Sequence, residues 1–316
     1  MNKETIPKIQ TSIEKATTIN VIAHARPDGD AVGSVLALGL ALRESGKEVE
    51  MILADGVPAD FRFLEGAEDI EKKPTKQADL VIVVDSGDLE RIGSLAQDIK
   101  TVGINIDHHP TNTNFGELNY VITEAVSTTE ILTSIIPQIG LTITKPVAQA
   151  LLMGLLTDSQ GFKIMSTTAE TLRTAAQLMD LGADIHQLAY QSLVKRSFKA
   201  VKYWGAGLSL LQHDEKIVWT SLSLTDRNSI GYGGNDDADL VNLLSAIEET
   251  CIAIMFVEQS GNKIKISWRA KKGYNVAKIA GVFGGGGHIA AAGAMVEGSL
   301  QEVQERVLAE TRKQLN

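Results

Sequence analysis

Ile19-Asn-Val-Ile-Ala-His24-Ala-Arg-Pro-Asp28-Gly-Asp30-Ala-Val-Gly-Ser34 is the stretch on which the reading of this chain turns. A short apolar run, Ile19–Ala23, leads into His24, Asp28 and Asp30, and an apolar helical pattern follows from Val32 to Leu42. One imidazole and two carboxylates therefore stand at the C-terminal end of an expected strand, just ahead of a helix. In open α/β sheets, ligands bind at that edge. Asp28 and Asp30 are close neighbours in the chain, and their repulsion in a confined site is costly unless a cation or a proton lies between them. A metal ion answers that need, and its other ligands must come from elsewhere in the chain.

Working outward, the first half alternates strand-like and helix-like patterns. Val49–Ala54, Leu80–Val84 and Thr101–Ile106 are further apolar runs suited to buried strands, and helical patterns lie at Ala31–Ser45, Thr128–Ile139 and Lys145–Leu156. Continuous Val/Ile/Leu runs, rather than alternation, suit strands covered on both faces. The expected fold class is α/β, a mainly parallel, doubly wound sheet. Helical signals continue through Thr167–Leu181, stop at Gly182, and resume from Asp184 through Gln187–Trp204 as one long helical linker. The expected organisation is a metal-bearing domain over 1–188, the linker over 189–206, and a smaller α+β domain over 207–316. In that domain Leu208–Leu211 and Ile217–Leu222 read as a hairpin around Gln212-His-Asp-Glu-Lys216. Ala238–Glu248 reads as a helix, Cys251–Glu258 and Lys263–Trp268 as a second hairpin, and Val276–Val282 and Leu300–Leu315 as helices on one side of the strands.

Bulk properties exclude several classes. Hydrophobic content of 44% and charged content of 22% are those of a soluble globular chain. MNKETIPKIQ is polar and mixed in charge, unlike a secretory signal. No apolar run approaches the ~18 residues needed to cross a bilayer, so no membrane partner is expected. The single cysteine, Cys251, sits in an apolar run, and this usage fits the cytoplasm. A net charge of −9 argues against coating long nucleic acid, but leaves room for a local basic site that takes a short anion.

More acidic and histidine residues close apolar runs. Leu80-Val-Ile-Val-Val-Asp85 delivers Asp85, Val102-Gly-Ile-Asn-Ile-Asp107-His108-His109 delivers three groups, and Ala150-Leu-Leu-Met-Gly-Leu-Leu-Thr-Asp158 delivers Asp158. One Asp after a strand is more often a turn or helix cap than a ligand. Several such sites at the ends of strands in one parallel sheet are hard to explain as independent caps. Carboxylates with imidazoles and no thiolate suit Mn²⁺ or Mg²⁺, and admit Co²⁺ or Fe²⁺, over a structural Zn²⁺. The candidates are too many for one ion that keeps open positions. They suit two ions about 3.5–4 Å apart that share a carboxylate and activate a water, which is the chemistry of phosphoester or phosphoanhydride hydrolysis.

The second half offers what a phosphate substrate needs. In Lys263-Ile-Lys-Ile-Ser-Trp-Arg269, Ile264, Ile266 and Trp268 fall on one face of a strand, and Lys263, Lys265, Ser267 and Arg269 on the other. An edge strand protected by lysines would show the same alternation. Gly284-Gly285-Gly286-Gly287-His288, followed by Ala290-Ala-Ala-Gly293, is a loop whose exposed N–H groups can hold an anion, or a flexible turn.

These residues resemble a known family. His24-x-x-x-Asp28-x-Asp30, Val84-Asp85-Ser86, Asp107-His108-His109 and Gly154-Leu-Leu-Thr-Asp158 look like the four motifs of the DHH phosphoesterases, and Gly284-Gly-Gly-Gly-His288-x-x-Ala-Ala-Ala-Gly293 looks like the hallmark of their C-terminal DHH-associated domain. A compact chain with Asp-His-His-Pro-Thr-Asn112 is similar to the nanoRNase/pAp-phosphatase branch, which degrades very short oligonucleotides and removes the 3′-phosphate of pAp. The resemblance implies His24, Asp28 and Asp85 on one Mn²⁺, and Asp30, Asp85, His108 and Asp158 on the other, with Asp85 bridging. It implies that Asp107 orients a histidine and that His109 faces the substrate. Arg269, Ser267, Gly285, Gly286, Gly287 and His288 would hold the substrate across a cleft between the two domains, and a fixed span across it would favour short substrates. Within the same superfamily, a phosphodiesterase of c-di-AMP or of linear pApA is the alternative. From another class, the chain would be a catalytically silent nucleotide-binding regulator. The oligomeric state is open, a homodimer included.

Overall fold

The apolar runs of the first half assemble into one five-stranded sheet in which every pairing is parallel. In this computed structural model, which describes residues 4–315, the strands are β1 (Thr18–Ile22), β2 (Glu48–Ile52), β3 (Leu80–Val84), β4 (Ile104–Asp107) and β5 (Leu118–Val121), in the order β2-β1-β3-β4-β5. Between β1 and β3 the winding reverses, the place where open α/β sheets leave a crevice at their carboxyl edge. Alternate side chains divide the core. Ile19, Val21, Ile82, Val84, Ile104 and Ile106 join one layer with α1 (Thr5–Lys15), α2 (Gly29–Glu44), α3 (Thr128–Gln138) and α4 (Lys145–Asp158). The opposite face, with Ile22, Ile52 and Val83, is covered by short helical turns around Ile92 and Leu95.

Helix α5 (Ala169–Asp180) follows, and α6 (Ile185–Ala189) runs into a π-helical turn, Tyr190–Val194. The expected continuous helix through Trp204 is interrupted there. Lys195 is extended, and Ser197 starts a new helix by accepting a hydrogen bond from Ala200 N. The chain divides into two compact units, one ending at Lys195 and one beginning at Arg196.

The second unit is built on a six-stranded sheet. Its strands are β6 (Gln212–Asp214), β7 (Ile217–Leu222), β8 (Ile252–Gln259), β9 (Lys263–Ala270), β10 (Gly286–His288) and β11 (Ala291–Glu297), in the order β10-β11-β9-β8-β7-β6. Only β7 and β8 pair in parallel. Helices cover both faces, not one. Trp268, Ile266, Ile264 and Phe256 pack with α10 (Val276–Val282) and α11 (Leu300–Arg312). Ala253, Met255 and Val257, facing the other way, pack with α7 (Phe198–Ser209) and α9 (Leu240–Ser245). The expected strand Leu208–Leu211 is the end of α7 and the turn after it, so the first hairpin starts later, at β6. A further short helix, α8 (Leu224–Ile230), follows β7.

No helix among the described residues is long and apolar enough to cross a membrane.

Candidate metal centre

The carboxyl edge of the parallel sheet collects the titratable residues of the first unit. His24 and Asp28 lie in the link from β1 to α2, Asp85 directly follows β3, Asp107 ends β4 and is followed by His108 and His109, and Asp158 ends α4. Three overlapping groups form, His24–Asp28–Asp85, Asp30–His108–Asp158 and Asp85–His108–His109, each with its ligand atoms within 4.8 Å of one another. Asp28 and Asp30 fall into different groups. The explanation is the start of α2: Asp28 is its N-cap and accepts from Asp30 N and Ala31 N, while Asp30 is already helical and points inward, 1% exposed.

Asp85 links the groups. Its Oδ2 lies 3.5 Å from His24 Nε2 and its Oδ1 3.7 Å from His108 Nε2, so each carboxylate oxygen faces a different histidine. His24 Nε2 is also 3.8 Å from Asp28 Oδ2, and His108 Nε2 is 3.4 Å from Asp158 Oδ2. These separations are too long for good hydrogen bonds. They lie at or within a few tenths of an ångström of the roughly 3–3.6 Å that separates oxygen and nitrogen ligands sitting about 2.1 Å from a shared ion. The imidazoles are set for it: His24 Nδ1 lies 2.9 Å from Ala25 O and His108 Nδ1 3.3 Å from Ala125 O. Such a bond fixes the proton on Nδ1 and leaves the Nε2 lone pair facing the carboxylates. Asp85 holds a φ of +53°, a left-handed conformation unusual for a residue with a side chain and common at functional sites.

The carboxylates and imidazoles strongly perturb one another's protonation. Burial disfavours charge on His24, but the Asp28 and Asp85 carboxylates outweigh it and push the imidazole up to about 10. Burial, with repulsion from Asp85, raises Asp30 to about 8. Burial and the Asp30, Asp85 and Asp28 charges push Asp158 well above the carboxylate range. Burial opposes protonation of His108, yet Asp30, Asp85 and Asp107 raise it. Asp28 is held down at about 2 against its burial by His24 and the helix N–H groups. So much negative charge gathered in a buried place calls for a balancing cation, and an all-oxygen-and-imidazole donor set fits Mn²⁺ or Mg²⁺.

A layer of partners lies outside these groups, and its threonines had no signature in sequence. Asp30 accepts from Thr128 N at 2.6 Å, Thr129 N at 3.0 Å and Thr129 Oγ1 at 2.7 Å, and Thr128 Oγ1 donates to Asp85 Oδ1 at 3.0 Å. The N-terminus of α3 thus braces two carboxylates, a favourable end for negative charge. Asp107, fully buried, spends one oxygen on His109 Nδ1 at 2.7 Å and the other on Asn112 Nδ2 at 2.6 Å. Close packing of α2 on α4 needs small residues. A Cβ on Gly29 would strike the Thr157 side chain, and one on Gly154 would lie 2.5 Å from Thr129 Cγ2 and 2.9 Å from Asp30 Oδ1. Gly29 is therefore needed for this approach.

In the second unit, β9 lies between β8 and β11, so its lysines do not guard an edge. Ile264, Ile266 and Trp268 are buried as expected. Register brings distant residues together on the other face. Arg269 pairs with Ala291, which pairs with His288, while Ser267 pairs with Gly293, which pairs with Gly286. Cross-strand partners share a face. Arg269, His288 and Ser267 therefore stand on one side of the sheet with only alanine and glycine between them, while Gly285 directly precedes the short strand β10 and Gly287 is its middle residue.

Comparison with known proteins agrees with this geometry. Residues 18–155 match the DHH family N-terminal domain and residues 230–316 the DHHA1 domain. A protein of Thermus thermophilus named bifunctional oligoribonuclease and PAP phosphatase NrnA is 31% identical over 94% of this chain and 90% of its own. This chain belongs to the DHH family. The crystal structure of an exopolyphosphatase-related protein from Bacteroides fragilis superposes with a TM-score of 0.93 at 25% identity, covering 98% of this chain and 96% of the other. A RecJ of Thermus thermophilus, solved in complex with Mn²⁺, shares the fold with a TM-score of 0.54 at 14% identity, covering 98% of this chain and 53% of its own.

Proposed function

We propose that this protein is a metal-dependent phosphoesterase that hydrolyses short oligoribonucleotides and linear dinucleotides to mononucleotides and removes the 3′-phosphate of pAp. The observation that carries the reading is Asp85, whose two oxygens face His24 and His108 in separate ligand groups. In this reading His24, Asp28 and Asp85 hold one ion, and Asp30, Asp85, His108 and Asp158 the other, most simply two Mn²⁺. When bound, such ions supply an activated water and neutralise charge on the phosphoryl oxygens.

The remaining steps belong to the chain's own residues. Asp107 fixes the His109 ring through Nδ1. His109 then stabilises the phosphoryl group or protonates the leaving oxygen, a general acid within reach of the reacting group. Arg269 and His288, with Ser267 and the N–H groups of Gly285, Gly286 and Gly287, hold a terminal phosphate or base. The family and the name of the Thermus thermophilus relative support this substrate class. A net charge of −9 supports short substrates over long nucleic acid.

The test is a panel: purified protein with Mn²⁺, given pAp, pApA, pGpG, c-di-AMP and pyrophosphate. Turnover of pAp and the linear dinucleotides is expected. Hydrolysis of pyrophosphate alone would overturn the substrate assignment, and turnover confined to c-di-AMP would favour a cyclic-dinucleotide phosphodiesterase.

A further inference from the structure

Arg269 does not reach the open face of its sheet as a free side chain. Its Nε donates to Asn242 Oδ1 at 2.9 Å and its Nη1 to the Trp268 carbonyl at 3.0 Å. Two of three guanidinium nitrogens are thereby tied to protein, and Nη2 has no partner among the described residues. Asn242 lies in the first turn of α9, directly after an unusual piece of backbone. Ala238 and Asp239 are consecutive non-glycine residues in the left-handed region, with φ of +51° and +67°. Such a conformation persists only where the surroundings over-determine it. Here Trp204 Nε1 donates to Ala238 O at 2.9 Å, and Arg196 Nη2 binds Asp239 Oδ2 at 2.9 Å. This held turn sets the start of α9 and hence the place of Asn242.

We infer that Asn242 is a positioning residue for the substrate-binding guanidinium: it fixes the plane of Arg269 so that Nη2 is presented, beside His288, to a phosphate of the substrate. The assignment rests on the substrate-binding role proposed above for Arg269. Planar recognition of phosphate by Arg depends on orientation, so a guanidinium fixed in advance loses less freedom on binding than a mobile one. Asp237 and Asp239 lie near enough to favour the cation electrostatically, but Asn242 is the side chain that holds its orientation. A neutral amide does so without neutralising the charge that the phosphate needs.

The experiment compares Asn242→Ala, Asn242→Asp, Arg269→Ala and the double variant Asn242→Ala/Arg269→Ala, in the full chain with Mn²⁺ and pAp. Asn242 is exposed, and alanine is a better helix former, so the fold is not at risk. Losing a hydrogen bond to a charged group corresponds to about tenfold or more. The expected result is a KM raised about tenfold in Asn242→Ala with kcat within about twofold. Asn242→Asp, which keeps the acceptor but sets a negative charge against the guanidinium, is expected to raise KM as well, and Asn242→Ala should add nothing in the Arg269→Ala background. A raised KM in Arg269→Ala beside an unchanged KM in Asn242→Ala would overturn the assignment alone. Equal effects of Asn242→Ala with and without Arg269 would also overturn it. An unchanged KM in Arg269→Ala would overturn the substrate-binding reading beneath it, and the assignment with it.

Discussion

Asp107 Oδ1 lies 2.7 Å from His109 Nδ1, at the end of a parallel strand and out of contact with solvent. Burial would raise the pKa of this carboxyl, but His109 and Asn112 hold it below its ordinary value, so it remains an anion and an acceptor. Asp107 thereby accepts the Nδ1–H of His109 and fixes the ring, so that an Nε2–H of the protonated ring is the proton offered to the leaving oxygen. Asp107→Asn replaces that acceptor with a group able to present N–H instead. Its kcat should fall by about 10²-fold or more with bound metal unchanged. Steady-state kinetics with metal analysis checks this, and a native kcat would remove His109 orientation from the mechanism.

Metal binding and pH are linked through His24 and Asp30. Both hold protons more tightly in the folded, metal-free protein than in the unfolded chain, at about 10 against 6.5 and about 8 against 3.8. The His24 contribution to stability is complete below pH 6.5 and is lost as pH rises toward 10; the Asp30 contribution declines from pH 3.8 to 8. The Tm of the protein in chelator should therefore fall between pH 6.5 and 9. Added Mn²⁺ should displace these protons and raise Tm more at pH 8.5 than at pH 6. Calorimetry at several pH values, with proton release read from buffers of different ionisation enthalpy, would show it.

Gly154→Ala tests the packing that supports Asp30. The added methyl would lie 2.5 Å from Thr129 Cγ2 and 2.8 Å from Thr129 Oγ1. Overpacking of this kind costs about 1–3 kcal/mol. A lowered Tm and a weaker Mn²⁺ affinity are expected together, because Thr129 is a donor to Asp30. A lowered Tm with native metal affinity would separate the helix seam from the metal site.

Substrate length gives an independent check. A dinucleotide and a 20-mer of the same composition should be hydrolysed at very different rates per end, the dinucleotide faster, with weak salt dependence for the 20-mer. Equal rates per end would contradict a preference for short substrates.

Much of the first unit was legible because its strands are fully covered. Leu80–Val84 is a continuous apolar stretch, the run before His24 is broken only by Asn20, and each ends abruptly in a titratable residue. What escaped has a physical cause in each case. β5 sits at the edge of its sheet, and Leu118-Asn-Tyr-Val lacks a continuous apolar run. β11 begins with Ala291-Ala-Gly-Ala, residues that disfavour strands, and it forms because β9 and β10 pair with it. Helix α1 carries Ile6, Ile9 and Ile13 on one stripe inside an otherwise polar segment. Thr128 and Thr129 look like ordinary first-turn residues. Their partner Asp30 is 98 and 99 residues away, and only the packing of α3 beside α2 discloses the contact.

Anomalous diffraction at the manganese edge from crystals grown with Mn²⁺ tests the assignment of the metal site most directly. Two peaks about 3.5–4 Å apart are expected, one among His24, Asp28 and Asp85, the other among Asp30, Asp85, His108 and Asp158. A single peak, or two peaks with Asp28 and Asp30 bound to the same ion, would contradict it.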